Sequence, residues 1–182
     1  MVLGVIGSPR KEGNTDILVD EVLRGAGDSG AKIEKIFLND LEIEPCQAEC
    51  SDYCKETGNC KINDGMSPLY DRLYKSDVII LGTPLYWYGP SAQLKVFIDR
   101  WFAFSHPKYV HKMKGKKFIL IAPLEESDTS AADPLVEMTR KSLDYLEAEF
   151  YKELIVSIGD KGAIKNNLEV MNQAYKIGLG LK

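Results

Sequence analysis

Four cysteines, Cys46, Cys50, Cys54 and Cys60, lie close together, and the chain has no others. A fold stapled by disulfides spreads its cysteines, whereas a local site gathers them. The pattern Cys-x3-Cys-x3-Cys-x5-Cys leaves three readings open: ligands of a [4Fe–4S] cluster, a zinc site, or thiols with at most an oxidised pair. In one continuous helix Cys46 and Cys54 would stand about 12 Å apart, too far to share a cubane. A four-cysteine cluster therefore requires an irregular segment, which Pro45 and Gly58 permit. Glu42, Glu44, Glu49, Asp52 and Glu56 make the surroundings acidic, which would lower the potential of a cluster held there.

A second group reads Gly7-Ser8-Pro9-Arg10-Lys11-Glu12-Gly13-Asn14-Thr15. Glycines let a backbone turn tightly and present N–H groups at a helix N-terminus, where the helix dipole favours an anion. Ser8, Asn14 and Thr15 add side-chain donors and Arg10 adds charge. The motif is neither G-x-G-x-x-G nor a Walker loop, which argues against a dinucleotide-binding fingerprint and against an NTPase. On its own it is equally a strand-to-helix turn capped at Asn14. A third group, Thr83-Pro84-Leu85-Tyr86-Trp87-Tyr88-Gly89-Pro90, favours the ligand site. Three consecutive aromatics cannot all face one core, so at least one is left near the cleft for a flat ring to stack on. Packing beneath the loop or in a subunit interface is the competing reading. His106 and His111 join no carboxylate motif, and no nucleophile–base arrangement is visible.

The elements that must position these groups alternate in period. Apolar runs at Val2–Ile6, Lys32–Leu38, Asp77–Gly82, Lys117–Ala122 and Leu154–Ile158 predict five strands. Helical spacing falls between them. Val19, Val22, Leu23 and Ala26 form one stripe that ends at Gly25, Gly27 and Gly30, and residues 68–74 form a short helix. Ser91 caps a third helix carrying Leu94, Phe97, Ile98, Trp101 and Phe102. A long stripe runs from Leu135 to Phe150, and Leu168, Met171 and Tyr175 mark the last helix. Strands this apolar are covered on both faces, as in a parallel sheet. The fold class is α/β, a three-layer doubly wound five-stranded parallel sheet in one domain over 1–182, with a cysteine-rich insertion at about 42–64. Ligands in such sheets sit beyond the carboxyl ends of the strands, where loops 7–15, 83–90 and 123–133 converge.

With 23 basic and 27 acidic residues the net charge is −4, so no basic field recruits nucleic acid. The longest strongly apolar stretch, Phe118–Leu124, cannot span a bilayer. Met1 leads directly into Val2–Ile6 with no signal-peptide pattern, so a cytoplasmic location is expected.

Gly7-Ser8-Pro9-Arg10 through Gly13-Asn14-Thr15, with Thr83-Pro84-Leu85-Tyr86-Trp87 and Gln93-Leu94-Lys95-Val96-Phe97-Ile98-Asp99-Arg100, resembles the NADPH-dependent FMN reductase family, and within it the iron–sulfur flavoprotein branch. The likeness runs from residue 1 to about 122; beyond that only the order of elements agrees. It implies a flavodoxin-like fold with FMN at the switch point. It assigns the FMN phosphate to Ser8, Arg10, Asn14 and Thr15, with Gly13 in the same loop, and the isoalloxazine to Pro84, Leu85, Tyr86, Trp87 and Gly89. It also implies dimers or tetramers, for which Trp101, Phe102 and Phe104 offer apolar surface. Asp99-Arg100 reads as an ion pair or cap at a helix end. The branch's cysteine pattern usually has two residues, not three, in each of its first two gaps.

The expected function is an FMN-dependent oxidoreductase reduced by NAD(P)H. A nicotinamide stacks on the flavin, so no general acid or base is needed. The acceptor is a ferredoxin, a quinone, an oxygen species or free flavin, reached through the cluster if Cys46, Cys50, Cys54 and Cys60 hold one. A flavodoxin-like electron carrier and a cysteine-based redox sensor are the alternatives.

Overall fold

The computed structural model describes residues 1–49 and 51–181. In chain order the elements are β1 (Val2–Ile6), α1 (Asn14–Asp28), β2 (Ile33–Phe37), α2 (Ser51–Thr57), α3 (Ser67–Lys75), β3 (Val78–Gly82), α4 (Ala92–Asp99), α5 (Pro107–Val110), β4 (Lys117–Leu124), α6 (Asp133–Tyr145), β5 (Glu149–Ser157) and α7 (Leu168–Leu179). The five strands form one sheet in the order β2-β1-β3-β4-β5, and every pairing is parallel. This is the flavodoxin-like doubly wound order, with its switch point between β1 and β3.

The central strands β1 and β3 are buried at every position, which is why their sequences run apolar without alternation. Both sheet faces are covered. On one, Leu18, Val19, Val22 and Ala26 of α1 and Ala174 and Ile177 of α7 pack over Val2, Ile6, Ile80 and Ile121. On the other, α3, α4 and α6 cover Leu3, Val5, Ile79, Leu81, Phe118 and Leu120.

The helix boundaries depart from the spacing pattern in three places. Gly25 and Gly27 lie inside α1, which continues to Asp28; Gly30, at φ 91°, follows it. Gly25 is kept small by tertiary contact: a Cβ there would stand 2.1 Å from the Tyr175 carbonyl oxygen of α7. The stripe from Leu135 to Phe150 is interrupted, since α6 ends at Tyr145 and Phe150 already belongs to β5. Edge pairing with β4 claims that segment, overriding a coincidental helical spacing. Finally, the helix after Ser91 tightens into a 3₁₀ turn over Arg100–Phe104. The shorter period turns Trp101 and Phe104 into the core at 4% and 0% exposure and leaves Phe102 outside. Of the three aromatics expected to offer an interface, only Phe102 is exposed.

Helices α1 and α7 approach so closely that a Cβ at Gly178 would lie 1.9 Å from the Val22 carbonyl oxygen. Backbone cannot yield as a flexible side chain does, so Gly178→Ala is expected to destabilise the fold by about 3 kcal/mol, read as a lower urea midpoint. An unchanged midpoint would show that the helices separate freely.

Candidate functional site

The loop after β1 ends in an uncapped helix start. Gly13 occupies the N-cap position of α1 and has no side chain to offer. Among the described residues, the backbone N–H groups of Asn14, Thr15 and Asp16 take no partner. These are the orphan donors of a helix N-terminus, and they carry the positive end of its dipole. The loop itself is shaped from within. Gly13 N–H donates to the Arg10 carbonyl at 3.2 Å, and Arg10 N–H to Ser8 Oγ at 3.2 Å. Glu12 sits in the left-handed region at φ 58°, its N–H held by Asp16 Oδ2 at 2.8 Å. Asp16 is 5% exposed and its other oxygen accepts from Lys35 Nζ at 2.9 Å. Burial pushes the Lys35 ammonium down, but hydrogen bonds to Asp20 and Asp16 outweigh it and hold the group above its usual value.

Neighbouring loops are tied to this one. Ser91, fully buried at the N-cap of α4, donates to the Gly7 carbonyl at 2.6 Å and accepts from Leu94 N–H at 3.2 Å. Gly7 must be glycine, since a Cβ would meet Leu94 Cβ at 2.7 Å. Ser91 N–H donates to Thr83 Oγ1 at 2.9 Å, which brings loop 83–90 alongside. Within that loop Tyr86 and Gly89 exchange two backbone hydrogen bonds, of 2.9 and 3.0 Å. Trp87 and Tyr88 form the two-residue tip, at φ 50° and 63°. Bulky residues in this conformation cost about 1 kcal/mol each, a strain that is commonest at functional sites. Leu85 N–H is committed to the Pro123 carbonyl at 3.2 Å; among the described residues the N–H groups of Trp87 and Tyr88 take no partner.

A cavity of about 240 Å³ opens where these loops meet. Of the expected residues, Ser8, Arg10, Gly13, Asn14, Thr15, Pro84, Leu85 and Tyr86 line it. Trp87 and Gly89 do not: the Trp87 side chain is 97% exposed and points away from the body. Asn14 lines the cavity, but its side chain is committed elsewhere, Nδ2 donating to the Asp160 carbonyl at 2.8 Å and Oδ1 accepting from Ile164 N–H at 3.2 Å. Loop 123–133 contributes Pro123, Leu124, Glu125 and Glu126. Ile158, Gly159 and Lys161 also line it, although motif spacing in the sequence does not point to them. Their signal was present: Gly159-Asp160-Lys161-Gly162 follows the fifth apolar run and so lies at the same end of the sheet.

The cysteine segment is a separate lobe, clipped at its neck. Arg100, 2% exposed, makes a fork-to-fork pair with Asp64 (2.7 and 3.2 Å) and donates to the Glu44 carbonyl at 2.7 Å. Asp64 also accepts from Glu44 N–H at 2.8 Å and Met66 N–H at 2.9 Å. Arg100 thus pairs with Asp64; Asp99 pairs instead with Lys95 at 2.5 Å. Further up, Tyr109 and Tyr74 hydroxyls donate to the Glu56 and Gly58 carbonyls at 2.6 and 3.0 Å. The lobe contains a helix, α2, which buries Cys54 in the core at 5% exposure, whereas Cys46 is exposed and Cys60 half-buried. Cys50 lies outside the described residues. Among the described residues no three His, Cys, Asp or Glu side chains are grouped to hold a metal ion. The three described cysteines are not gathered at one point, because α2 directs Cys54 inward while Cys46 stays at the surface.

Fold and cavity together define a flavodoxin-like protein with a cavity at its switch point, lined by the loop before α1. Residues 1–162 match the NADPH-dependent FMN reductase family, and the chain belongs to it. An iron–sulfur flavoprotein of Methanocaldococcus jannaschii is 46% identical over 99 residues, 54% of this chain and 50% of that protein. The chain spans about half the length of that relative. YwqN of Bacillus subtilis, whose name describes an NAD(P)H-dependent FMN-containing oxidoreductase, is 26% identical over 184 residues, covering 97% of this chain and 96% of that one. An NAD(P)H:quinone oxidoreductase from Methanothermobacter marburgensis superposes with a TM-score of 0.76 at 14% identity, over 100% and 94% of the two chains, and so shares the fold.

Burial pushes the Asp64 carboxyl up, yet hydrogen bonds from Arg100 and from the Glu44 and Met66 amides outweigh it and hold the group below its usual value. The stability this contributes is present above about pH 4, the unfolded value, and is lost as pH falls through the depressed native value. Arg100→Met leaves Asp64 buried without its cation and is expected to cost about 3–5 kcal/mol. The buried Cys54 and half-buried Cys60 should then react faster with a thiol reagent; unchanged rates at both would show that the neck does not hold the lobe.

Proposed function

We propose that the chain is an FMN-dependent oxidoreductase of the NAD(P)H-using kind. One observation carries this reading: Asn14 and Thr15, with partnerless amides at the start of α1, share a cavity with Ser8, Arg10 and the rigid loop Pro84–Tyr86. That donor set suits a phosphate, and Thr15 Oγ1 has no protein partner among the described residues. FMN, when bound, supplies hydride and single-electron chemistry. The chain's residues bind and orient. Arg10 and the α1 amides hold the phosphate end, while Pro84, Leu85 and Tyr86 supply a bed whose backbone is already hydrogen-bonded and needs no reorganisation. The uncommitted N–H groups of Trp87 and Tyr88 are the loop's donors for a ring edge. This gives Trp87 a backbone role in the flavin site while its side chain lies outside. No side chain acts as general acid or base, in keeping with a hydride transfer governed by proximity.

A second element attaches to Cys46, Cys50, Cys54 and Cys60, because several matched relatives are named iron–sulfur flavoproteins. No electron step is routed through these residues, since the described ones do not assemble a site. Iron and sulfide analysis of anaerobically purified protein decides whether a cluster forms; about four of each per chain would require α2 to rearrange.

Two experiments test the main reading. Anaerobic stopped-flow mixing of the FMN-loaded protein with NADH or NADPH is expected to bleach the flavin absorbance. Failure with both donors would leave an electron carrier reduced by another protein. Arg10→Ala removes a charge-assisted contact worth about 1.5–3 kcal/mol and should weaken FMN binding at least tenfold; an unaltered dissociation constant would contradict the phosphate assignment.

A further inference from the structure

We infer that Lys161 is a second phosphate-binding cation of the cofactor site, delivered there by Asn14; the inference rests on the FMN reading above. The charges lining the cavity make the case. Its lining cations among the described residues are Arg10 and Lys161, and its lining anions are Glu125 and Glu126. A phosphomonoester carries between −1.5 and −2 charges near neutrality. Arg10 alone, facing that dianion and two carboxylates, would leave the cavity strongly negative once loaded. Lys161 makes the lining neutral before binding. Neither Arg10 nor Lys161 has an ion-pair partner among the described residues, so both are available to a ligand.

Lys161 is exposed, but the loop that carries it is fixed on both sides. Asn14, the first residue of α1, holds both sides of it: Nδ2 on the Asp160 carbonyl and Oδ1 on the Ile164 N–H. Ile164 is fully buried and anchors the far side in the core. Gly162, at φ 76°, turns the chain back on the phosphate loop, where a Cβ would stand 3.5 Å from the Glu12 carbonyl oxygen. On the near side Ile158 N–H donates to the Leu124 carbonyl at 2.7 Å. A residue that looked like a phosphate ligand in the sequence is therefore a strut. Its donors are directed at the β5–α7 loop, and the functional group it brings to the anion is a lysine far along the chain. Asn14 is a positioning residue in this account, and Lys161 a residue that selects for the phosphorylated flavin.

The test compares FMN with riboflavin, which lacks the phosphate, by fluorescence titration of the full chain. Lys161→Gln is expected to weaken FMN binding about fivefold to tenfold, to leave riboflavin binding unchanged and to flatten the salt dependence of FMN affinity. Lys161→Arg should restore most of the loss. FMN affinity that does not change, or FMN and riboflavin affinities that fall together, would overturn the assignment. In an Asn14→Ala background the penalty of Lys161→Gln should largely vanish; additive penalties would overturn the positioning role. Wild-type protein that binds FMN no better than riboflavin would contradict the functional reading itself, and this inference with it.

Discussion

Everything at this site depends on a helix start left without a cap. A glycine at the N-cap of α1 cannot satisfy the first amides, and no neighbouring side chain does so among the described residues. Unpaired donors near the interior are costly, so a fold retains them where a ligand completes them. The rest of the molecule holds that helix end still. β1 and β3 run parallel side by side and deliver two loops to the same edge. The buried Ser91 hydroxyl ties the two together by bonding to the Gly7 carbonyl. The Asp16 carboxylate fixes the left-handed Glu12 from within the helix, and Lys35 neutralises that carboxylate from β2. The close α1–α7 contact, possible only with Gly25 and Gly178, clamps the other end of the same helix.

The cysteine lobe obeys a different constraint. At its neck a buried guanidinium, Arg100, reads backbone and carboxylate on both arms, and further up the Tyr109 and Tyr74 hydroxyls hold the Glu56 and Gly58 carbonyls. A buried ion pair of this kind specifies one arrangement more than it stabilises, since desolvating both partners offsets most of their attraction. The lobe is thereby held against α3 and the 3₁₀ turn, with Cys54 inside.

The fold was legible because central parallel strands are buried on both faces, and their sequences, Val2–Ile6 and Val78–Gly82, carry that fact plainly. Edges were harder. β5 is half-exposed over most of its length, so its first residues carry no strong apolar run and were absorbed into the preceding helix pattern. The tightening at Arg100–Phe104 has no signature in spacing, because Trp101 fits a 3.6-residue stripe as well as a 3₁₀ turn. Among the residues that line the cavity, Ser8, Arg10, Gly13, Asn14, Thr15 and Pro84–Tyr86 were readable from residue type and loop position. Lys161 was not, since a lone lysine in a glycine-flanked turn looks like any solvated loop until the topology brings it to the same cavity as Arg10. Asn14 shows the converse: its type suggested a ligand, and only the partners of its two amide atoms reveal a brace.

The central claim is that the open amides of α1 receive the cofactor's phosphate. Amide ¹H–¹⁵N correlation spectra of the labelled protein, recorded during titration with FMN, test it most directly. The account predicts that the resonances of Asn14, Thr15 and Asp16 move downfield to saturation with one equivalent of FMN. Resonances at these three positions that stay in place while FMN binds, or in the presence of excess FMN that does not bind, would contradict it.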